Sequence, residues 1–263
     1  MNILKWGCAL ATTLILGGQM LSAESPLPPT ETREEPAVRL VLPLGIPTGL
    51  PQRITVRGEN ISKATTARIS GLLPTPTLRL LGGGIASTGA VGDLVGVGTE
   101  WMDLEVLLPE GTLRGTNGSL VLSSAGGDSL PFPVFVAPGG ITAEREPNDA
   151  LDMPQDLPKE GLVRGTIANA SDLDLYRIDL RSGQTLRAEL WSARLGAPLD
   201  GALGLMDRRG TVLLVNDDGE DTGRDPVLEF QAGSNGTFLI RVSGGVPHYG
   251  DANAYLLDVK VLP

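Results

Sequence analysis

The chain has 263 residues, with 21 Lys and Arg against 31 Asp and Glu and a single histidine, so its formal net charge is −10. Such an acidic chain is a poor match for nucleic acid, whose phosphates bind basic surfaces. The 35 glycines, 20 prolines and 4% aromatic residues favour tight turns and short strands, with little helix.

Residues 1–23 have the pattern of a secretory signal peptide. Lys5 is the only charge before an apolar run from Trp6 to about Gly18, and a small residue, Ala23, stands at the expected cleavage point. The run is short for a membrane span, so we expect a cleaved signal and a mature chain with no transmembrane anchor. Cleavage leaves 20 basic against 31 acidic residues, a net charge of −11.

The single cysteine, Cys8, lies inside this segment. A mature chain without a thiol has no disulfide, no thiolate metal site and no cysteine nucleophile. Residues 24–36, ESPLPPTETREEP, carry no apolar periodicity and are rich in proline. We interpret them as an extended tether that follows the signal peptide.

Short runs with alternating apolar residues, each closed by Gly or Pro, predict strands in two blocks. Between residues 37 and 138 the runs are VRLVLPLG, QRITVRG, ATTARISG, WMDLEVLLPEG, GSLVLSSAGG and LPFPVFVAP. Between residues 155 and 263 they are GLVRGTIA, DLYRIDL, QTLRAELWSA, ALGLMD, TVLLVND, VLEFQA, GTFLIRVSG and AYLLDVKVLP. The predicted fold class is all-β, with two β-sandwich domains, the second jelly-roll-like.

Two local patterns depart from simple strand alternation. Residues 81–100 are rich in glycine and poor in charge, and we interpret them as a long mobile loop or an edge hairpin. In DLYRIDL the apolar positions change parity, which predicts a β-bulge near Tyr176 and Arg177.

Residues 139–154 form an acidic linker between the two blocks. Within six residues it places Glu144, Glu146, Asn148 and Asp149. Calcium takes six to eight oxygen ligands from carboxylates, amides and carbonyls, so this stretch is a candidate calcium site. The alternative is a solvated linker in which these side chains cap turns.

A second acidic loop covers Asn216 to Asp221, with Asp225 beyond it. It lacks the spacing of an EF-hand, so we interpret it as a turn between strands.

From Ala143 to Pro263 the motifs EREPNDALDMPQDLP, VRGTIANASDLDLYRIDL, GQTLRAELW, PLD and NDD resemble the bacterial pre-peptidase C-terminal domain, related to the collagen-binding domains of clostridial collagenases. The resemblance implies calcium binding by the linker residues together with two carboxylates of the first hairpin, Asp172 and Asp174. It also suggests that Tyr249 and Tyr255 face a binding surface. Residues 37–138 resemble an immunoglobulin-like (IPT/TIG-type) domain, on PLGIPTGLPQRITVRGENISKATTARISG and the late LPEGTLRGTNGSLVLSSAGGDSLPFPVFVAP.

Catalytic patterns are weak in this sequence. His248 is the only histidine, and neither the H-E-x-x-H zinc motif nor the G-x-S-x-G nucleophile elbow occurs. A glycosidase would need carboxylates in an aromatic-lined cleft, whereas the aromatic residues are few and scattered. Trp191 is expected in the core rather than on a ligand platform. We therefore expect no catalytic residues and a chain that is not an enzyme.

The sequence thus predicts an exported, calcium-stabilised binding or adhesion protein that recognises an extracellular polysaccharide, another polymer or a protein. Two alternatives stay open: a structural cell-envelope component that self-associates, and an accessory subunit of a secreted hydrolase. The oligomeric state does not follow from the sequence.

Overall fold

Residues 34–86, 96–245 and 250–263 are described by the computed structural model. They are mostly strand, with one 3₁₀ turn at Ala193–Leu195 and no α-helix. The predicted signal peptide with Cys8, and also His248 and Tyr249, lie outside the described residues. No helix in the described ranges is long and apolar enough to cross a membrane.

The N-terminal half contains two sheets that bear out the predicted all-β class. One has the order β1-β2-β5-β4, and in the other β6 lies between β3 and β7 and also pairs with β8. The strands are β1 Ala37–Leu42, β2 Gln52–Glu59, β3 Thr66–Ser70, β4 Thr77–Ile85, β5 Glu100–Leu107, β6 Asn117–Ser124, β7 Gly127–Asp128 and β8 Phe132–Phe135.

The C-terminal half contains two five-stranded sheets, and the eight predicted strands are all present. Their orders are β10-β12-β17-β14-β15 and β16-β13-β18-β11-β9. The strands are β9 Ile141–Ala143, β10 Gln155–Asp156, β11 Glu160–Thr166, β12 Leu173–Leu180, β13 Thr185–Trp191, β14 Gly201–Asp207, β15 Val212–Asn216, β16 Val227–Gln231, β17 Gly236–Gly244 and β18 Ala254–Leu262.

Each half has its own apolar core because its strands alternate inward and outward side chains. In β2, Ile54 and Val56 are buried while their neighbours are more exposed. They belong to one core cluster, and Leu186, Ala188 and Leu190 of β13 belong to a second cluster in the C-terminal half.

A third apolar cluster joins the two halves. Leu40 and Leu44 from the N-terminal half pack with Leu195 and Leu256 from the C-terminal half, all buried. Trp191 meets Phe135 edge-on, with ring centroids 5.3 Å apart and an interplanar angle of 88°. The two sandwiches therefore share an apolar contact, and Trp191 contributes to it rather than to the centre of one core.

Two local expectations need correction. The glycine run 82–84 lies in strand β4, which pairs antiparallel with β5 at a sheet edge, so the hairpin alternative holds for residues 81–85 and the loop does not. Residues 87–95 of that stretch lie outside the described residues. The bulge predicted near Tyr176 and Arg177 is wrong, because β12 pairs with β17 in continuous register from Leu173 to Leu180.

The parity change in β12 has a different cause. Tyr176, Ile178 and Leu180 face the main core of the C-terminal half, whereas Leu175 joins a small cluster with Met206 and Leu239 on the opposite face. Both faces of this strand therefore bury apolar side chains, and no extra residue is inserted.

Candidate cation site

The acidic linker is held by both sheets of the C-terminal sandwich. Its first part is strand β9, parallel to β11, and it leads into β10, parallel to β12. Between these strands the Asn148 carbonyl accepts a hydrogen bond of 3.0 Å from the Leu175 amide. The Gln155 side chain closes the loop by bonding the Arg145 amide at 2.7 Å and the Ala143 carbonyl at 3.2 Å. The linker is therefore an ordered part of the sandwich.

Four carboxylates converge where this loop meets the start of β12. One oxygen from each of Glu146, Asp149, Asp172 and Asp174 lies within 4.8 Å of the other three. Asp172 and Asp174 are buried, whereas Glu146 and Asp149 are exposed. Residues separated by more than twenty positions thus form one cluster, as the resemblance implied.

The other two predicted ligands, Asn148 and Glu144, lie beside this cluster. Asn148 is fully buried, and its backbone N–H donates to a Glu146 carboxylate oxygen at 3.0 Å. Glu144 is half-buried, and its Oε2 lies 3.4 Å from the Tyr255 hydroxyl. Glu144 is outside the four-carboxylate group, so it lines the site at a greater distance than the predicted set suggested.

A buried pair of tyrosines supports the cluster from inside the sandwich. The Tyr255 hydroxyl donates to Asp174 at 2.5 Å, and it lies 2.6 Å from the Tyr176 hydroxyl. Both tyrosines are fully buried. The expectation that Tyr255 faces a binding surface is therefore wrong. Its hydroxyl instead orients Asp174, a contact that spans 81 positions of sequence.

Gly165 of β11 makes room for this arrangement. A Cβ at this position would overlap the Tyr255 hydroxyl and the Glu144 carboxylate. Sequence reasoning missed both Gly165 and the tyrosine pair, because the contacts that define their roles connect distant strands.

The carboxylates of the cluster are hard to ionise together. Burial, followed by the charge of Asp174, raises the pKa of Glu144 to about 8. Burial also raises the pKa of Asp174 to about 7, although the Tyr255 hydrogen bond opposes the change. The pKa values of Glu146 and Asp172 are raised as well, first by burial and then by neighbouring carboxylates. A bound cation would remove this repulsion.

The donor set fits calcium. Asn148 Oδ1, Asp172 Oδ1 and Asp174 Oδ1 are buried and have no hydrogen-bond partner among the described residues. Buried oxygens are rarely left without a partner, and a cation would supply one. Calcium binds oxygens at about 2.3–2.6 Å, so ligands on opposite sides of one ion are about 5 Å apart. The 4.8 Å limit of the cluster agrees with that spacing.

The second acidic loop has a different organisation, which agrees with its interpretation as a turn. Asp225 is fully buried, and its carboxylate accepts from the amides of Ser192, Ala193 and Arg194 at 3.0, 2.8 and 3.1 Å. The Arg194 guanidinium adds a fourth bond at 2.7 Å. Asp225 therefore holds the 3₁₀ turn against the loop, and its oxygens are already occupied.

No family model and no curated protein matches the chain. Among solved structures, it is similar to the pre-peptidase C-terminal domain of a Bacillus anthracis collagenase, with 12% identity, 45% of this chain and 100% of that chain covered, and a TM-score of 0.32. A periplasmic inhibitor of g-type lysozyme from Aeromonas hydrophila gives 13% identity, 46% and 97% coverage, and a TM-score of 0.31. The secreted serine protease VesC of Vibrio cholerae gives 9% identity, 87% and 51% coverage, and a TM-score of 0.28.

One of these three structures is a pre-peptidase C-terminal domain. At such low identities and TM-scores they carry no argument about function. The function proposed for this chain therefore rests on its own residues.

Proposed function

We propose that this chain is an exported, non-enzymatic binding protein whose C-terminal sandwich is stabilised by calcium. The observation that carries the proposal is the convergence of Glu146, Asp149, Asp172 and Asp174 beside buried oxygens that lack partners. When bound, calcium would neutralise the cluster and fix the linker to β12. The cation cluster does not bear on the binding role, which is inferred from the sequence resemblance.

The position of the cluster explains why calcium would matter for the whole molecule. The linker contributes Ile141 to the apolar contact between the halves and Asn148 to a backbone hydrogen bond with β12. A cation held by Glu146 and Asp149 on one side and by Asp172 and Asp174 on the other would connect these elements. The expected effect is a more stable C-terminal sandwich in a fixed position relative to the N-terminal one.

A candidate surface for the extracellular ligand lies beside the linker. An open cleft of about 690 Å³ is bordered by charges of both signs, among them Asp152, Lys159, Arg177 and Asp179, with Leu151 and Leu157 as apolar contacts. A shallow, polar cleft suits one stretch of an extended polymer or peptide, and it offers few apolar contacts for an enclosed small molecule.

The metal part of the proposal is tested by thermal unfolding in excess EDTA and in millimolar calcium. Calcium at about a hundred times its dissociation constant is expected to stabilise the protein by about 2.7 kcal/mol. The gain should disappear in a Glu146→Ala, Asp149→Ala double variant. The matched control is Asp217→Ala with Asp218→Ala, which removes the same charge from the other acidic loop and should keep the gain. An equal calcium effect in both variants would reject the site.

The binding part is tested separately by co-sedimentation with insoluble peptidoglycan, chitin, cellulose and gelatin. We expect the mature protein to be retained on at least one of them without releasing soluble fragments. An Arg177→Glu variant, which alters the cleft, should be retained less. Release of soluble fragments, or no retention on any of the four polymers, would contradict the binding role while leaving the calcium site in place.

A further inference from the structure

Strand β15 is an apolar strand at the edge of a sheet. It is the last strand in the order β10-β12-β17-β14-β15, so one of its two sides has no strand partner among the described residues. Its residues Val212, Leu213, Leu214 and Val215 are 51%, 40%, 36% and 56% exposed. The strand therefore presents both free backbone groups and apolar side chains to solvent.

Two other edge strands of the C-terminal sandwich, β10 and β16, carry charged residues. β10 carries Asp156, which pairs with Arg177 at 2.5 Å, and β16 carries Glu229, which pairs with Arg187 at 3.2 Å. Natural proteins commonly use such charges to prevent edge strands from pairing with other chains. β15 contains no charge and no proline, so it lacks the protection that two other edges of the same sandwich have.

The charges that flank β15 are arranged so that the strand complements itself. Exposed Arg208 and Arg209 precede the strand, and exposed Asp217, Asp218 and Glu220 follow it. A second copy aligned antiparallel would therefore place its acidic end beside the basic end of the first copy. A two-fold dimer makes this match twice.

The symmetry also fixes the alignment. In a two-fold antiparallel pair one residue lies opposite its own copy, and Leu214 is the central residue of the five-residue strand β15. With Leu214 at the centre, Val212 lies opposite Asn216 of the second copy, so the turn that carries Arg208 and Arg209 lies beside the acidic loop of the second copy. The pairing of β15 with β14 contains a bulge at Leu213. The proposed centre of the dimer contact, Leu214, is the next residue along the strand.

We propose that two copies of this chain associate through antiparallel pairing of their β15 strands, which makes one continuous sheet across the dimer. The contact goes beyond the proposed binding function and does not depend on the cation site. Because it consists of a single short strand and two clusters of charge, we expect a weak, concentration-dependent dimer.

The proposal is tested first by sedimentation velocity of the mature chain from about 10 to about 500 μM. The native protein should show a monomer–dimer equilibrium. A Leu214→Lys variant, which places two like charges face to face, should raise the dimer dissociation constant at least about tenfold. The matched control is Ile85→Lys, on the exposed edge strand β4, which should leave the equilibrium unchanged.

A charge exchange then tests the orientation. One variant carries Arg208→Glu and Arg209→Glu, and the other carries Asp218→Lys and Glu220→Lys. Each variant alone would repel itself at both ends and should remain monomeric, whereas an equimolar mixture should dimerise. All four residues are exposed, so these changes leave the core intact.

Three results would overturn the proposal. They are a native protein that stays monomeric over the whole concentration range, a dimer that Leu214→Lys does not weaken, and a charge-exchanged mixture that associates no better than its components. Growth of large irregular aggregates in place of a dimer would also overturn it, since an apolar β segment can associate without a defined partner.

Discussion

The two acidic loops of the C-terminal half have similar compositions, but their buried carboxylates differ in how many hydrogen bonds they accept. In the linker cluster, Asp172 and Asp174 are buried and each has an oxygen without a partner among the described residues. In the loop that ends at Asp225, the buried carboxylate accepts four hydrogen bonds, all from residues 192–194. Only the first loop therefore requires something more to stabilise its charges.

The difference shows that a run of acidic residues is a poor guide to a cation site. What distinguishes the two loops is the number of protein donors that already reach each buried oxygen. Asp225 is fixed by amides and a guanidinium, whereas the linker cluster has few donors and four neighbouring carboxylates. Four measurements test this difference between the two loops.

The largest effect is expected from pH in the absence of metal. The folded-state pKa of Asp174 is raised from 3.8 to about 7 and that of Glu144 from 4.5 to about 8. At a pH between the unfolded-state and folded-state pKa values of each group, the folded protein binds more protons than the unfolded chain. Its free energy of unfolding therefore falls as pH rises through this range. At about 1.4 kcal/mol per pKa unit the change amounts to several kcal/mol, more from Asp174 than from the partly solvated Glu144.

Denaturant unfolding in EDTA at pH 5 and pH 8 measures this loss. In saturating calcium the carboxylates are held ionised, so the decline with pH should disappear or reverse. If the metal-free protein is as stable at pH 8 as at pH 5, ionisation of the cluster carboxylates does not destabilise the fold, and this prediction is wrong.

Replacement of Asp225 should lower the free energy of unfolding somewhat less than the change in pH does. Asp225→Ala leaves three backbone amides without their acceptor and removes one of the two carboxylates that bind the Arg194 guanidinium, which is expected to destabilise the fold by about 3 kcal/mol. The loss should be the same in EDTA and in calcium, as measured by urea unfolding, and Asp225→Asn should recover part of it. A loss that calcium reduces would place Asp225 in a metal site and remove the contrast between the loops.

Addition of a methyl group at Gly165, beside the cluster, should lower the free energy of unfolding by an intermediate amount. Gly165→Ala forces the Tyr255 hydroxyl and the Glu144 carboxylate apart, at a cost of about 2 kcal/mol, and it should also weaken calcium binding in a titration followed by calorimetry. Gly233→Ala is the control, because a Cβ there meets no atom within 4 Å. Unchanged calcium affinity in Gly165→Ala would separate Tyr255 and Glu144 from the site.

The smallest effect is expected at an exposed ion pair near the end of the linker. Arg177 binds Asp156 of β10 bidentately, and both side chains are exposed to solvent. Arg177→Ala should change the free energy of unfolding by about 0.5 kcal/mol and leave calcium affinity as it is. A large loss of either would mean that the linker is fixed from β10 rather than from the cluster.

The strand pattern was largely predictable because apolar alternation and turn residues are local signals. The glycine run 82–84 was harder to assign, since glycine is depleted in strands and its place in β4 depends on pairing with β5. The false bulge in β12 arose because Leu175 has an apolar partner on the outer face of its sheet. A single sequence does not show that both faces of a strand are covered.

The residues of the cluster were largely predictable from the sequence, whereas its contacts with buried residues from distant strands were not. Spacing indicated Glu144, Glu146, Asn148 and Asp149, of which Glu144 lies outside the four-carboxylate group, and the family resemblance added Asp172 and Asp174. The role of Tyr255 depends on a contact with Asp174 across 81 positions, which no local pattern encodes. Asp225 was interpreted as part of a turn, but its partners in residues 192–194 lie more than thirty positions away.

The strands at both ends of the linker also affect how the chain is cut. A protease needs an extended, accessible segment, and connections between sandwiches usually provide one. Here residues 141–143 and 155–156 are paired in two different sheets, so cleavage between the halves requires this segment to open first. The rate of nicking then reports that local opening. Calcium in the cluster would slow this opening and so protect the linker from digestion.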